Sequence, residues 1–142
     1  MAVEVGRSAA WLAKQVEIAL GAVDLSLPQY RVLGILGEGT AASSALAERL
    51  AVRPPSITAV VDGLVHRGLV DRSPCPGDRR RVTLEITAAG KSLLTLADSA
   101  VEERLATIAG ELPDELASRA LESLQLWGRA LRAYHESRTA RR

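Results

Sequence analysis

Apolar residues recur along most of this chain at the spacing of helices rather than strands. From Val3 to Val23, the positions Leu12, Val16, Ala19 and Val23 repeat at four-three-four spacing, the seam of a coiled coil. Trp11, Gln15 and Ile18 lie beside that seam, so the helix is apolar on more than one side. Such a helix needs more partners than a small domain offers, and a second subunit would supply them. Ser26-Leu27-Pro28-Gln29 reads as the start of a second helix, with Ser26 as cap and Gln29 completing a capping box. Tyr30, Val32, Leu33, Ile35 and Leu36 follow, and Gly37 and Gly39 mark its end. Thr40 to Ala42 suits a short strand against the ribbon described next. Ser43 or Ser44 opens a third helix with Leu46, Ala47 and Leu50 inward.

The turn Ala51-Val52-Arg53 leads into a fourth helix. Pro54 and Pro55 suit its first turn and nowhere deeper. Ile57, Val60, Val61, Leu64 and Val65 give it one apolar face, and Gly68 stops it. Val70 to Ser73 reads as a strand, Pro74-Cys75-Pro76-Gly77-Asp78 as a turn. Val82, Leu84 and Ile86 alternate with Thr83 and Glu85 as a half-buried strand. This places Arg79, Arg80 and Arg81 in the loop at the ribbon tip. Thr87 ends the strand and caps the next helix. That helix holds Leu93, Leu94, Ala97, Ala100, Val101, Leu105 and Ile108, and Gly110 breaks it. Pro113 fits the first turn of a last helix, with Asp114 and Glu115 favourable to its dipole. Ala120, Leu124, Trp127, Leu131 and Tyr134 repeat there at four-three spacing, and the end from Arg138 to Arg142 is expected to fray.

Composition narrows the possibilities. The chain has 142 residues, the length of one domain, and 47% hydrophobic residues, enough for a core. With no Phe, two Trp and two Tyr, that core must be Leu, Val and Ala, which favours packed helices. The single Cys75 excludes an internal disulfide framework and a multi-cysteine zinc site. No apolar run approaches the ~20 residues that span a bilayer, and the first ten residues contain Glu4 and no apolar core, so neither a membrane partner nor a signal peptide is expected. The expected location is the cytoplasm. The net charge of +1 is uninformative, but its distribution is not. Between Arg49 and Arg81, seven Arg and three Asp give +4; between Val82 and Glu122, eight acids and three bases give −5. A basic segment beside an acidic one suggests a face meant for a polyanion, against the plainer reading of a solvated charge mixture.

Helix, short turn, helix, ribbon is the order of a DNA-binding unit. The run from Pro55 to Arg72, PSITAVVDGLVHRGLVDR, followed by Asp78-Arg79-Arg80 and by Thr87-Ala88-Ala89-Gly90, resembles the MarR family of winged helix-turn-helix transcription regulators. The resemblance is closest over these roughly forty positions and extends by layout to the flanking helices. It implies a mainly α fold with a small β-wing (α+β) and a single domain over residues 1–142. Within it, residues 26–90 would form the winged-helix DNA-binding lobe, and residues 3–23 and 91–138 the dimerisation helices. It further implies a homodimer that binds double-stranded DNA at a palindromic operator, acting as a repressor released by a small, often aromatic, effector. Asp78 would organise the wing turn, Arg80 would enter the minor groove and Arg79 would lie on the phosphates. Asp62 would pair with Arg72 and tie the recognition helix to the base of the wing. Trp11, Tyr30 and Arg31 would border an effector pocket, although Trp11 and Tyr30 suit a dimer core as well.

If Ile57, Val60, Val61 and Leu64 face inward, a step of 100° per residue puts Pro55, Ala59, Asp62 and His66 outward, with Ser56 and Thr58 beside them. The end of the helix that meets a groove then presents Arg53, Pro55, Ser56, Thr58 and Ala59, and its first-turn N–H groups are candidates for a phosphate, less the two that the prolines remove. Direct adenine readout favours Asn or Gln, but the chain has no Asn, and Gln15, Gln29 and Gln125 lie outside this helix. Other signals fail. Gly90-Lys91-Ser92 lacks the first glycine of a phosphate-binding loop, which falls on Glu85. Gly34, Gly37 and Gly39 follow a helix, not the strand of a dinucleotide fingerprint. His66 and His135 have no metal-ligand spacing, and Cys75 between two prolines gives no redox motif. No catalytic constellation, metal or cofactor is expected. The alternative function, a winged-helix protein-interaction module without DNA binding, would be marked by loss of the wing arginines or of the recognition end, and both are present.

Overall fold

The computed structural model describes residues 2–141, with side chains from residue 4 onward. Six helices and three strands follow in the order α1 (Ala2–Gly21), α2 (Leu27–Glu38), β1 (Ala41–Ala42), α3 (Ser43–Leu50), α4 (Pro54–His66), β2 (Val70–Cys75), β3 (Asp78–Ile86), α5 (Ala88–Ala109) and α6 (Asp114–Thr139). The fold is mainly α with a small antiparallel sheet, as the sequence predicts. Two compact units divide within α5, one ending at Val101 and the other beginning at Glu102. No helix among the described residues is long and apolar enough to cross a membrane.

In the first unit the core is aliphatic. Leu20, Val32, Leu33, Leu46, Val61, Leu64, Val70 and Leu84 are fully buried. Each contributes about 1.5–3 kcal/mol through removal of its side chain from water. No polar or charged side chain is buried among the described residues. The capping box at α2 forms as expected: the Gln29 N–H donates to Ser26 Oγ at 3.2 Å, and the Ser26 N–H to Gln29 Oε1 at 3.0 Å. Ala51 takes a left-handed conformation, φ 53°, at the end of α3, which gives the sharp corner before α4.

The sheet has the order β1-β3-β2. Ala41 and Ala42 pair with Leu84 and Thr83, so the short first strand does lie against the ribbon. The base of the ribbon is fastened to α5 through Thr87. Its hydroxyl donates to the Gly68 carbonyl at 2.7 Å and accepts the Gly90 N–H at 3.0 Å, while its own N–H donates to the Leu69 carbonyl at 3.0 Å. Gly90 lies so close to the turn before β2 that a Cβ there would sit 2.2 Å from the Leu69 oxygen.

Four local expectations are revised. β2 runs on to Cys75, so the turn shrinks to Pro76-Gly77, with Gly77 at φ +87°. Arg79, Arg80 and Arg81 consequently belong to β3 rather than to the loop. Val82 is exposed, because it lies beyond Thr83, the last residue that β1 pairs. Pro113 sits at the N-cap of α6, one position before the first turn, with ψ 145°. The end of α6 is helical to Thr139; Arg142, the last residue of the expected frayed end, lies outside the described residues.

The seams of the terminal helices are only partly covered. α1 stops at Gly21, so Val23, expected as its last seam residue, lies in the turn beyond; Leu12 and Val16 of the seam are half-buried and Ala19 is buried, while Trp11 and Ile18 beside it are 72% and 47% exposed. In the second unit α6 has no buried residue; Leu124 is half-buried, and Trp127, Leu131 and Tyr134 are 62%, 54% and 54% exposed.

Candidate nucleic-acid interface

α4 turns Ile57, Val61 and Leu64 into the core and leaves Pro55, Ser56, Thr58, Ala59, Asp62 and His66 exposed, with Val60 half-buried. Arg53 is the exposed N-cap residue. The five positions expected at the groove therefore share the outer face and entrance of one helix. Two details alter the chemistry of that face. The N–H groups of Ser56 and Ile57 both donate to the Arg53 carbonyl, at 3.0 and 3.3 Å. With Pro54 and Pro55 carrying no N–H, the first turn keeps no free backbone donor, which removes the expected phosphate site there. The Thr58 hydroxyl donates to the Pro54 carbonyl at 3.1 Å, so toward solvent it offers lone pairs and a methyl group.

The wing owes its shape to one turn. Pro76 followed by Gly77 at positive φ is the sequence of a type II turn, whose twist splays the two strands of a hairpin. The ladder accordingly slips. Cys75 pairs with Asp78, but its neighbour Pro74 pairs with Val82. Arg79, Arg80 and Arg81 fill the gap in β3 and have no partner across the ribbon. Asp78 Oδ1 accepts the Arg80 N–H at 3.0 Å, and Oδ2 lies 4.0 Å from Arg81 Nε. The aspartate thus fixes the backbone of the bulge and offsets part of its charge, while all three guanidinium groups remain on exposed residues.

Asp62 and Arg72 form the expected ion pair between α4 and β2. Both side chains are partly solvated, so the pair contributes at most about 1 kcal/mol and acts by fixing geometry. Trp11, Tyr30 and Arg31 are less unified. Tyr30 donates its hydroxyl to Asp98 Oδ1 on α5 at 2.7 Å. Burial, then that hydrogen bond and the carboxylate charge, push the Tyr30 hydroxyl well above the usual tyrosine range. Arg31 instead donates to the Leu50 carbonyl, at 3.2 Å, at the end of α3. Sequence reasoning missed that brace, and also Arg67, whose Nη1 donates to the Asp24 carbonyl at 2.7 Å. Both acceptors are main-chain oxygens distant in sequence, which no residue pattern marks.

The family model for the MarR family matches residues 23–81, from the turn after α1 to the wing arginines. An HTH-type transcriptional regulator of Mycobacterium tuberculosis is 38% identical over 114 residues, 77% of this chain and 80% of that protein. Among solved structures, apo MarR from E. coli superposes with a TM-score of 0.79 at 20% identity, covering 88% of this chain and 93% of that one, a likeness of fold. CouR from Rhodococcus jostii, solved bound to p-coumaroyl-CoA, gives 0.68 at 27% identity, with 85% and 86% covered. A winged helix-turn-helix with an exposed outer face on its second helix and a basic wing, matched in sequence across most of a known regulator, has one reading: the chain belongs to the MarR family of DNA-binding transcription regulators.

Proposed function

We propose that the protein is a homodimeric repressor that binds a palindromic operator and is released by a small aromatic effector. The observation that carries the DNA-binding geometry is the three-arginine bulge. It is exposed, its backbone is fixed by Asp78, and it is tied through Arg72 and Asp62 to a helix whose outer face is free. In this reading Arg53, Pro55, Ser56, Thr58 and Ala59 meet the major groove, Arg80 enters the minor groove and Arg79 lies on phosphate. Residues 26–90 form the DNA-binding lobe, and residues 3–23 and 91–138 dimerise. The exposed apolar residues of α1 and α6 support the second subunit, and two-fold symmetry then demands half-sites about one turn of DNA, ~10 bp, apart. Action on genomic DNA places the protein in the cytoplasm.

The effector reading is supported by the aromatic acyl-CoA bound to CouR. Of the three residues expected at the pocket, exposed Trp11 and half-buried Tyr30 offer aromatic surface, whereas Arg31 joins them only by leaving the Leu50 carbonyl. Selection of bound duplexes from a random pool tests the whole reading. The expected product is a palindrome bound by two chains, which lowers transcription when placed over a promoter and loses the protein when aromatic acids or their thioesters are added. Recovery of no enriched sequence would overturn it.

A further inference from the structure

The last turn of α4 is clamped to the connection between α1 and α2. Arg67, the C-cap residue of α4, donates from Nη1 to the Asp24 carbonyl at 2.7 Å and to Gln29 Oε1 at 3.5 Å, and its Nη2 lies 4.0 Å from Asp24 Oδ2. Asp24 is itself held at φ 54° in the turn that closes α1. Gln29 is the capping-box residue of α2, and its Nε2 lies 3.5 Å from where a Cβ on Gly63 of α4 would be. One guanidinium, with its side chain 32% exposed, thus joins the end of α1, the cap of α2 and the end of α4.

We propose that Arg67 is a positioning residue for operator recognition, setting the pitch of α4 without touching DNA. The inference rests on α4 being the recognition helix. The end of α4 that meets the groove is about 18 Å from the clamp, so a tilt of about 10° there displaces it by about 3 Å, a whole hydrogen-bond length. Base contacts do not survive such a shift, whereas phosphate contacts from the wing arginines do. The clamp also joins α4 to the turn that follows α1.

The test compares wild type, Arg67→Gln and Arg67→Lys on the best duplex selected from a random pool and on random duplex, across a salt series. Thermal unfolding identifies a temperature at which each variant is folded. Arg67→Gln is expected to bind the selected duplex about tenfold more weakly, with random-duplex affinity and both salt slopes unchanged. Arg67→Lys, which can still donate to the Asp24 carbonyl, is expected to recover part of the loss, and it carries the test if Arg67→Gln does not fold. Equal weakening on both duplexes, with the salt slope lowered by about 0.9, would show a phosphate contact and overturn the proposal. Unchanged affinity on both duplexes would reduce Arg67 to a stabilising residue and overturn it too. Failure of wild type to prefer any duplex would instead sink the DNA-binding reading beneath it.

Discussion

Single side chains divide here into those that touch a ligand and those that hold others in place. Arg80 is proposed to be of the first kind. Its backbone is fixed by Asp78, and its guanidinium is on an exposed bulge with no partner across the ribbon. Arg80→Ala is expected to leave thermal unfolding unchanged and to cost about 1.5–3 kcal/mol of DNA binding, the worth of a charge-assisted hydrogen bond. Wild-type affinity in the mutant at physiological salt would remove it from the minor groove. Tyr30 is of the second kind. Its raised folded-state pKa means that the protonated hydroxyl is favoured in the folded state. Its contribution to stability is therefore complete below the ordinary tyrosine pKa, ~10, and is lost as pH rises through the folded value. Stability should fall on the alkaline side more steeply in wild type than in Tyr30→Phe. Ultraviolet titration should show a late phenolate step that vanishes in the mutant. An alkaline limb identical in both proteins would mean that the hydrogen bond to Asp98 does not persist in solution.

At the scale of elements, α4, as the proposed recognition helix, would read DNA with few tools. It has no Asn, Gln, Lys or Arg from Pro54 to Val65, and Thr58 has spent its proton on its own helix. Pro55, Ala59 and the Thr58 methyl suit thymine methyl groups, and Arg53 alone offers a charged donor. A complete single-base substitution series across the selected site should show few strongly specified major-groove positions per half-site and a preference for A·T beneath the wings, where a narrow groove attracts arginine. Costs of about 2–3 kcal/mol at most major-groove positions, with G·C tolerated under the wing, would contradict this. The helix itself was legible in sequence because its start and stop are chemical: two prolines open it and Gly68 closes it. So were the Asp62–Arg72 tie and the turn role of Asp78, through the family motif. The arginine bulge was not legible, since strand periodicity assumes one residue opposite one, and a type II turn breaks that register. Nor was the closed backbone of the first turn of α4. Whether Ser56 and Ile57 donate to Arg53 depends on the tightness of the turn, not on residue type.

The whole molecule presents more apolar surface than one chain can use. Trp11 and Ile18 on α1, and Trp127, Leu131 and Tyr134 on α6, repeat at helical spacing and stay exposed, although scattered single exposures would need no explanation. Their order along each helix, with half-buried Leu124 in the same α6 seam, is that of a helix awaiting a partner helix. Wild type should therefore sediment as a dimer at micromolar concentration. Changing Leu124 and Leu131 together to Glu sets carboxylates on that seam in both chains, where burial without a counter-charge costs roughly several kcal/mol each. The double mutant is expected to sediment as a monomer or to lose part of its helicity. Its winged lobe should keep weak, salt-sensitive binding to random duplex, because the wing arginines are intact, but it should lose preference for the palindrome. In the proposed dimer that preference would come from two lobes held about one DNA turn apart, whereas a monomer would engage one half-site only. A wild-type monomer in the centrifuge, or a double mutant that remains dimeric and selects the same palindrome, would show that the seams serve another purpose.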